Sequence, residues 1–72
     1  MNLKDAKEGV EYTVLAIETG DEEVDAFLFS LGCYSGEKIT VVSKRRSGQT
    51  VSIKDARYSI DNALAMAVQI ES

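Results

Sequence analysis

The sequence predicts an all-β domain, a small and partly open barrel with one helix of two to three turns and one short helical turn. Four or five short segments rich in β-branched and apolar residues are separated by turn residues, as in strands. One stretch, between residues 19 and 32, has helical periodicity instead. In a chain of 72 residues, closing the sheet into a barrel removes exposed strand edges. The chain length predicts a single domain over residues 1–72.

The chain begins with an entry segment, residues 3–11, that turns at Glu8-Gly9. The first strand is expected from Tyr12 to Glu18, where the sequence reads YTVLAIE. Towards its end this run is apolar at consecutive positions, which is typical of a strand covered on both faces. We therefore predict that the end of the first strand is buried on both sides.

The helix is expected to follow directly, because its ends can be recognised. Thr19 with Glu22 forms a capping-box pattern, and Asp21 is an alternative N-cap. Acidic residues in the first turn interact favourably with the positive end of the helix dipole. Gly32 lies where a left-handed residue commonly ends a helix. Four apolar residues share one helical face: Val24, Phe27, Leu28 and Leu31.

Phe29 lies off this apolar face, beside Asp25 and Ala26 on a helical wheel. Two interpretations remain open for it. The N-terminal segment covers the ring, or the ring is exposed and binds a partner.

The second half predicts a hairpin. Residues 37–43 form one strand, and residues 50–54 alternate polar and apolar side chains as a strand with one buried face does. Residues 44–49 are expected to form the connecting loop, with Ser47-Gly48 as the turn.

The C-terminal part predicts three short elements. Residues 57–60 are expected to be extended, and Asp61 is placed to cap a brief helical turn over residues 62–65. Residues 67–71 alternate again and predict a closing strand.

A search for catalytic and metal-binding groups finds little. The chain has no histidine and one cysteine, Cys33, which excludes histidine triads, disulfides and structural zinc sites. We therefore expect no catalytic residue, no enzyme activity and no cofactor. Asp21, Glu22 and Asp25 are weak candidates for binding a divalent metal, since acidic residues at a helix start are already explained by capping.

The charge distribution limits the class of partner. The net charge is −4, with −7 in residues 1–37 and +3 in residues 38–72. Such a chain is not expected to bind nucleic acid. The only basic run, residues 44–46, is either a solvated loop or a contact point for an acidic partner. Without an apolar run long enough to insert in a membrane, the protein is expected to be cytoplasmic.

One motif resembles a known family. The pattern Leu28-x-x-Leu31-Gly32-x-x-x-Gly36, followed by the strand Ile39-x-Val41-Val42, resembles the FeoA family of the bacterial ferrous-iron uptake system. The resemblance extends over residues 3–71, through Val51-x-Ile53, Arg57-x-x-Ile60, Ala65 and Val68-x-Ile70. It implies an SH3-like barrel and a non-enzymatic accessory that contacts FeoB, the permease with a cytoplasmic GTP-binding domain.

Three positions depart from the pattern that many family members show. Phe27 stands in place of an arginine, Ser35 in place of a proline, and Asp55-Ala56 where a glycine is common. The first two lie inside the motif and indicate a partner surface particular to this chain.

Two alternatives to the accessory function remain. The same domain type occurs at the C-terminus of iron-dependent repressors, which implies a metal-responsive sensor that binds a divalent transition metal through carboxylates. A generic peptide-binding SH3-like module is less favoured, because such modules use aromatic grooves and this chain has no tryptophan. For partner binding we predict Phe29, Tyr34, Arg45 and Arg46. Homo-oligomerisation is left open.

Overall fold

The computed structural model describes residues 1–71, which form a five-stranded antiparallel sheet with two α-helices and a short 3-10 helix. In chain order the elements are the 3-10 helix Leu3–Asp5, β1 Glu11–Ile17, α1 Glu22–Ser30, β2 Lys38–Arg45, β3 Gly48–Ile53, β4 Ala56–Asp61, α2 Asn62–Ala67 and β5 Val68–Glu71. The described part of the chain contains no helix that is long and apolar enough to cross a membrane.

The strands lie in the order β4-β3-β2-β1-β5, and every neighbouring pair is antiparallel. The sheet is bent by register shifts in β1, between Val14 and Ala16, and in β2, between Val41 and Ser43. Such bulges increase local twist and let a short sheet curl around a core. The sheet stays unclosed between β4 and β5, and α2 connects these two edges along the chain. This architecture confirms the predicted all-β, partly open barrel.

The core is built from alternate residues of the strands and a few residues of the other elements. Leu28 is the only buried residue of α1, and Leu3 and Ala6 come from the N-terminal segment. The buried amide of Gln49 donates a hydrogen bond from Nε2 to the carbonyl oxygen of Leu3 at 3.3 Å. The buried apolar residues are Leu3, Ala6, Val14, Leu28, Cys33, Ile39, Val41, Val51, Ile53, Ile60, Ala65, Val68 and Ile70.

The hairpin between β2 and β3 is tighter than the sequence indicates. The strands stay paired up to Arg45 and Gly48, which leaves Arg46 and Ser47 as the two-residue turn. The predicted loop over residues 44–49 is therefore too long. Gly48 lies inside β3 rather than in the turn, and a Cβ there would lie 2.3 Å from the carbonyl oxygen of Ile60. Glycine is needed at this position because β4 passes so close.

The structure decides between the two N-cap candidates of α1 and corrects its apolar face. Asp21 rather than Thr19 is the N-cap, and its Oδ1 accepts hydrogen bonds from the backbone N–H groups of Glu23 and Val24. Phe27 is 53% exposed, so the apolar face is narrower than the periodicity predicts. Leu28 is its buried centre, and Val24 and Leu31 are only partly buried against the core.

The end of β1 and the last elements also differ from expectation. Leu15 is 50% exposed, at the β1 bulge, so the prediction of a strand end buried on both sides is wrong. Leu15 follows the buried Val14 in the strand, so its side chain lies on the opposite, outer face of the sheet. β4 and α2 are each two residues longer than predicted, and β4 leads directly into α2 without a loop. Asp61 is the N-cap of α2, as predicted, and its Oδ1 accepts a hydrogen bond from the Leu64 N–H.

Candidate partner-binding surface

The end of α1 fixes the position of the first predicted contact residues. After Leu31, Gly32 adopts a φ of +90° and donates its N–H to the carbonyl of Phe29 at 3.0 Å. Cys33 donates its N–H to the carbonyl of Leu28 at 3.0 Å, which completes a Schellman motif. The buried Leu28 and Cys33 side chains supply the apolar contact that usually accompanies this motif. The backbone on both sides of Phe29 is therefore well anchored.

Phe29 and Tyr34 form an aromatic pair on the surface beside this helix end. Their ring centroids are 4.8 Å apart with an interplanar angle of 31°. Phe29 is 64% exposed and Tyr34 is partly buried. Of the two interpretations of Phe29, the structure therefore shows the exposed ring and not a ring covered by the N-terminal segment. Its binding to a partner stays a prediction.

A cation and a carboxylate border the aromatic pair. Lys54 Nζ lies 5.5 Å from the centroid of the Tyr34 ring and 2.9 Å from Glu37 Oε1. The latter is the only ion pair within residues 1–71. The hydrogen bond from Lys54 lowers the pKa of Glu37, and the same bond raises the pKa of Lys54. Both groups therefore stay charged at neutral pH and give the apolar rings a polar rim. We call Phe29, Tyr34, Glu37 and Lys54 the aromatic site.

The stem of Lys54 also packs over the helix end. A Cβ on Gly32 would lie 3.0 Å from both Cδ and Cε of Lys54, and 3.3 Å from Cγ2 of Ile53. Lys54 and Asp55 have positive φ values of 50° and 67°, and together they form the two-residue turn between β3 and β4. We call this the Lys54 turn. It brings the lysine stem across Gly32 and its ammonium group towards Tyr34.

The two predicted arginines lie elsewhere. Arg45 ends β2 and donates from Nη1 to Thr50 Oγ1 and from Nη2 to Ser59 Oγ, both at 2.7 Å. Arg46 is exposed in the hairpin turn. β3 lies between the two turns and has six residues, so Ser47 and Lys54 are seven steps and roughly 23 Å apart at a rise of about 3.3 Å per residue. The structure therefore brings together Phe29 and Tyr34 but not the aromatic and basic residues.

Two members of the aromatic site could not be recognised from the sequence. Lys54 and Glu37 are ordinary strand-end charges in the sequence, and only the fold shows that they meet. The one available signal is the two-residue spacing between strands at Lys54-Asp55, which favours a hairpin with both residues in left-handed conformation.

The acidic candidates for metal binding do not form a ligand group. The Asp21 carboxylate caps α1, and the Asp25 carboxylate accepts a hydrogen bond from the Thr19 hydroxyl. Glu22 is exposed in the first turn. Across residues 1–71, no three side chains of the metal-binding types come together.

The buried Cys33 thiol adds no reactive group to the surface. Burial raises the pKa of Cys33 to about 11, so the thiol is neutral at physiological pH. A neutral thiol is a poor nucleophile and a poor metal ligand. Cys33 is therefore a packing residue.

Comparisons with known proteins agree with this architecture. The sequence pattern of the FeoA domain matches residues 1–72. A crystal structure of an iron uptake regulatory protein (FeoA) is 25% identical and superposes with a TM-score of 0.87, over 97% of this chain and 93% of that one. None of the curated proteins matches significantly.

Two more distant structures show the same fold. Stenotrophomonas maltophilia FeoA, solved in complex with zinc and described as a prokaryotic SH3 domain protein, is 18% identical with a TM-score of 0.88, over 99% of this chain and 89% of that one. A manganese-dependent transcriptional repressor is 22% identical with a TM-score of 0.89, where this whole chain matches 41% of the repressor. The barrel is thus SH3-like, and the chain belongs to the FeoA family.

Proposed function

We propose that this member of the FeoA family, a family associated with ferrous iron transport, is a non-enzymatic cytoplasmic regulator of ferrous iron uptake. It acts by contacting a FeoB-type permease on the side that carries the GTP-binding domain. Family membership supports the link to iron transport. The aromatic pair at the end of α1 supports action by protein contact.

The single observation that carries the proposal is the exposure of Phe29 on an anchored backbone. Burying a phenylalanine side chain stabilises a complex by roughly 1.5–3 kcal/mol relative to leaving it in water. The Schellman motif already fixes the backbone, so little chain entropy remains to be lost on binding. An aromatic centre with charged groups at its border, here Lys54 and Glu37, is the usual arrangement of an interface hot spot.

Arg45 and Arg46 are proposed as a separate contact point rather than part of the aromatic site. Arg46 is exposed and makes no side-chain hydrogen bond within residues 1–71, so its guanidinium is available to an acidic surface. Arg45 is already held by Thr50 and Ser59 and is the less available of the two.

The test is a calorimetric titration of the protein with the cytoplasmic domain of its FeoB-type permease, in the apo, GDP and GTP-analogue states. Phe29→Ala should weaken binding by about tenfold or more, because the hot-spot ring is lost. Phe27→Ala is the matched control, since Phe27 lies on the same helix with similar exposure but outside the aromatic pair.

Thermal melting of both variants accompanies the titration. Each ring is mostly exposed, so we expect melting temperatures close to that of the parent protein. Absence of binding in every nucleotide state would overturn the proposed function. An equal loss of affinity from Phe29→Ala and Phe27→Ala would instead show that the aromatic pair is not the contact.

The metal-responsive sensor is not advanced as a second function. The repressor with the same fold supports the shared architecture only. The carboxylates of Asp21 and Asp25 already have partners within the chain. Weak binding of a divalent metal by these residues stays a prediction.

A further inference from the structure

The two edges of the sheet differ in how they are covered. At the β5 edge, Asn2 forms a bridge with Gln69, and the N–H of Ile70 donates to the carbonyl of Met1 at 2.9 Å. The N-terminal segment therefore pairs with this edge. At the other edge, β4 pairs only with β3 within residues 1–71. One row of backbone donors and acceptors along β4 is thus available.

β4 carries two charged residues, Arg57 and Asp61, but lacks the other devices that usually block an open edge. Its six residues pair with β3 in continuous register, without a bulge. The strand contains no proline and no lysine. Natural sheets generally use bulges, prolines, lysines or a covering segment to prevent pairing at an edge. An uninterrupted edge of this length can accept another strand.

The charges of β4 are complementary to those of a second β4 in antiparallel orientation. Two residues that lie opposite each other in an antiparallel pair both direct their backbone N–H and C=O groups towards the partner strand, or both direct them away from it. When the two strands are identical, opposed residues must therefore be separated by an even number of positions in the sequence. A two-fold axis at Ser59 meets this condition. It places Arg57 opposite Asp61 of the second copy, and Tyr58 opposite Ile60.

The outer face presents these charges to solvent. Arg57, Ser59 and Asp61 alternate along β4 and are all exposed. The Arg57 side chain makes no hydrogen bond or ion pair within residues 1–71. The two-fold symmetry would create two identical Arg57–Asp61 pairs, while Asp61 Oδ1 keeps its bond to the Leu64 N–H.

We propose that β4 is a self-association edge, at which two copies of this chain join their sheets antiparallel around Ser59, with reciprocal Arg57–Asp61 ion pairs. This inference is independent of the proposed contact with the permease. One short strand from each copy buries less surface than a standard protein interface. The dimer is therefore weak and depends on protein concentration.

The experiment is sedimentation equilibrium of the full chain over a concentration series that reaches the millimolar range, with amide chemical shifts recorded over the same series. The mass should rise towards that of a dimer, and the shifts that change should map to residues 56–61. Arg57→Asp places like charges opposite each other at both symmetric sites, which should lower the association constant by about tenfold or more.

Two further variants isolate the cause. Lys7→Asp makes the same charge change at an exposed basic residue outside β4 and should dimerise like the parent. Arg57→Lys keeps the positive charge and should also dimerise. A monomer at every concentration would overturn the proposal. So would shifts that map outside residues 56–61, or equal effects of Arg57→Asp and Lys7→Asp.

Discussion

The Lys54 turn contains the two non-glycine residues with positive φ in the described chain, Lys54 and Asp55. A two-residue hairpin with both residues left-handed matches the twist of the flanking strands, and glycine is usually its second residue. A side chain in this conformation costs roughly 1–2 kcal/mol. Lys54 packs on Gly32 and approaches Tyr34. Asp55 occupies the position where glycine is favoured, and its side chain makes no hydrogen bond or ion pair within residues 1–71.

Asp55→Gly is expected to stabilise the protein by about 0.5–1 kcal/mol, because relief of the left-handed strain exceeds the added entropy of the unfolded chain. Urea unfolding followed by circular dichroism measures the change. Asp55→Ala is the control, since it removes the same charge but keeps the Cβ atom. If Asp55→Ala stabilises the protein equally, the charge rather than the backbone conformation is responsible.

At the scale of elements, the junction between α1 and β2 depends on two glycines with similar φ values and different surroundings. Gly32 has a φ of +90° and Gly36 a φ of +92°. A Cβ on Gly32 would meet the Lys54 stem and Ile53, whereas a Cβ on Gly36 would meet nothing within 4 Å. A comparison of substitutions at the two glycines therefore separates the cost of the backbone conformation from the cost of packing.

Gly36→Ala should cost roughly 1–2 kcal/mol of unfolding free energy, from the left-handed conformation alone. Gly32→Ala should cost more, because Lys54 and Ile53 must also move, and the chemical shifts of the Tyr34 ring should change with them. Urea titrations and proton spectra of both variants measure this difference. Equal costs and an unchanged Tyr34 would show that the Lys54 stem adapts without consequence.

How far the sequence predicts an element depends on whether its signal is local. Asp61, Gly32 and the alternation of β3 are recognisable because caps, left-handed ends and a half-buried face are properties of adjacent residues. The exposure of Phe27 and Leu15 is not recognisable in this way, since it depends on which side of the helix packs on the barrel and which face of the strand is covered. The same holds for the aromatic site, where residues 29, 34, 37 and 54 come from four parts of the chain.

At the scale of the whole molecule, the N-terminal segment completes the barrel. Leu3 and Ala6 are fully buried, and the Gln49 amide inside the barrel donates to the Leu3 carbonyl. The same segment covers the β5 edge through Met1 and Asn2. A domain of this size has a small core, so a single well-buried leucine contributes a large share of its stability. Leu3 therefore links closure of the core with protection of one sheet edge.

Leu3→Ala should lower the free energy of unfolding by about 2–5 kcal/mol, as expected for a buried leucine whose cavity cannot fully collapse. Leu15→Ala is the matched control, because it removes the same atoms from a side chain that is 50% exposed. The control should cost less than about 1 kcal/mol. Urea unfolding of the two variants measures both changes, and similar losses would show that burial of Leu3 is not what stabilises the barrel.

Hydrogen exchange of the Ile70 amide tests whether Leu3 also protects the covered edge. In Leu3→Ala this amide should exchange faster than the global loss of stability requires, since its acceptor on Met1 is released when the N-terminal segment detaches. The amide of Val14, which donates to the Glu37 carbonyl inside the sheet, is the internal reference and should follow global unfolding. Local detachment of the N-terminal segment exposes the Ile70 amide and leaves the Val14 amide protected. Equal acceleration of hydrogen exchange at both amides would therefore show that the segment and the barrel unfold as one unit.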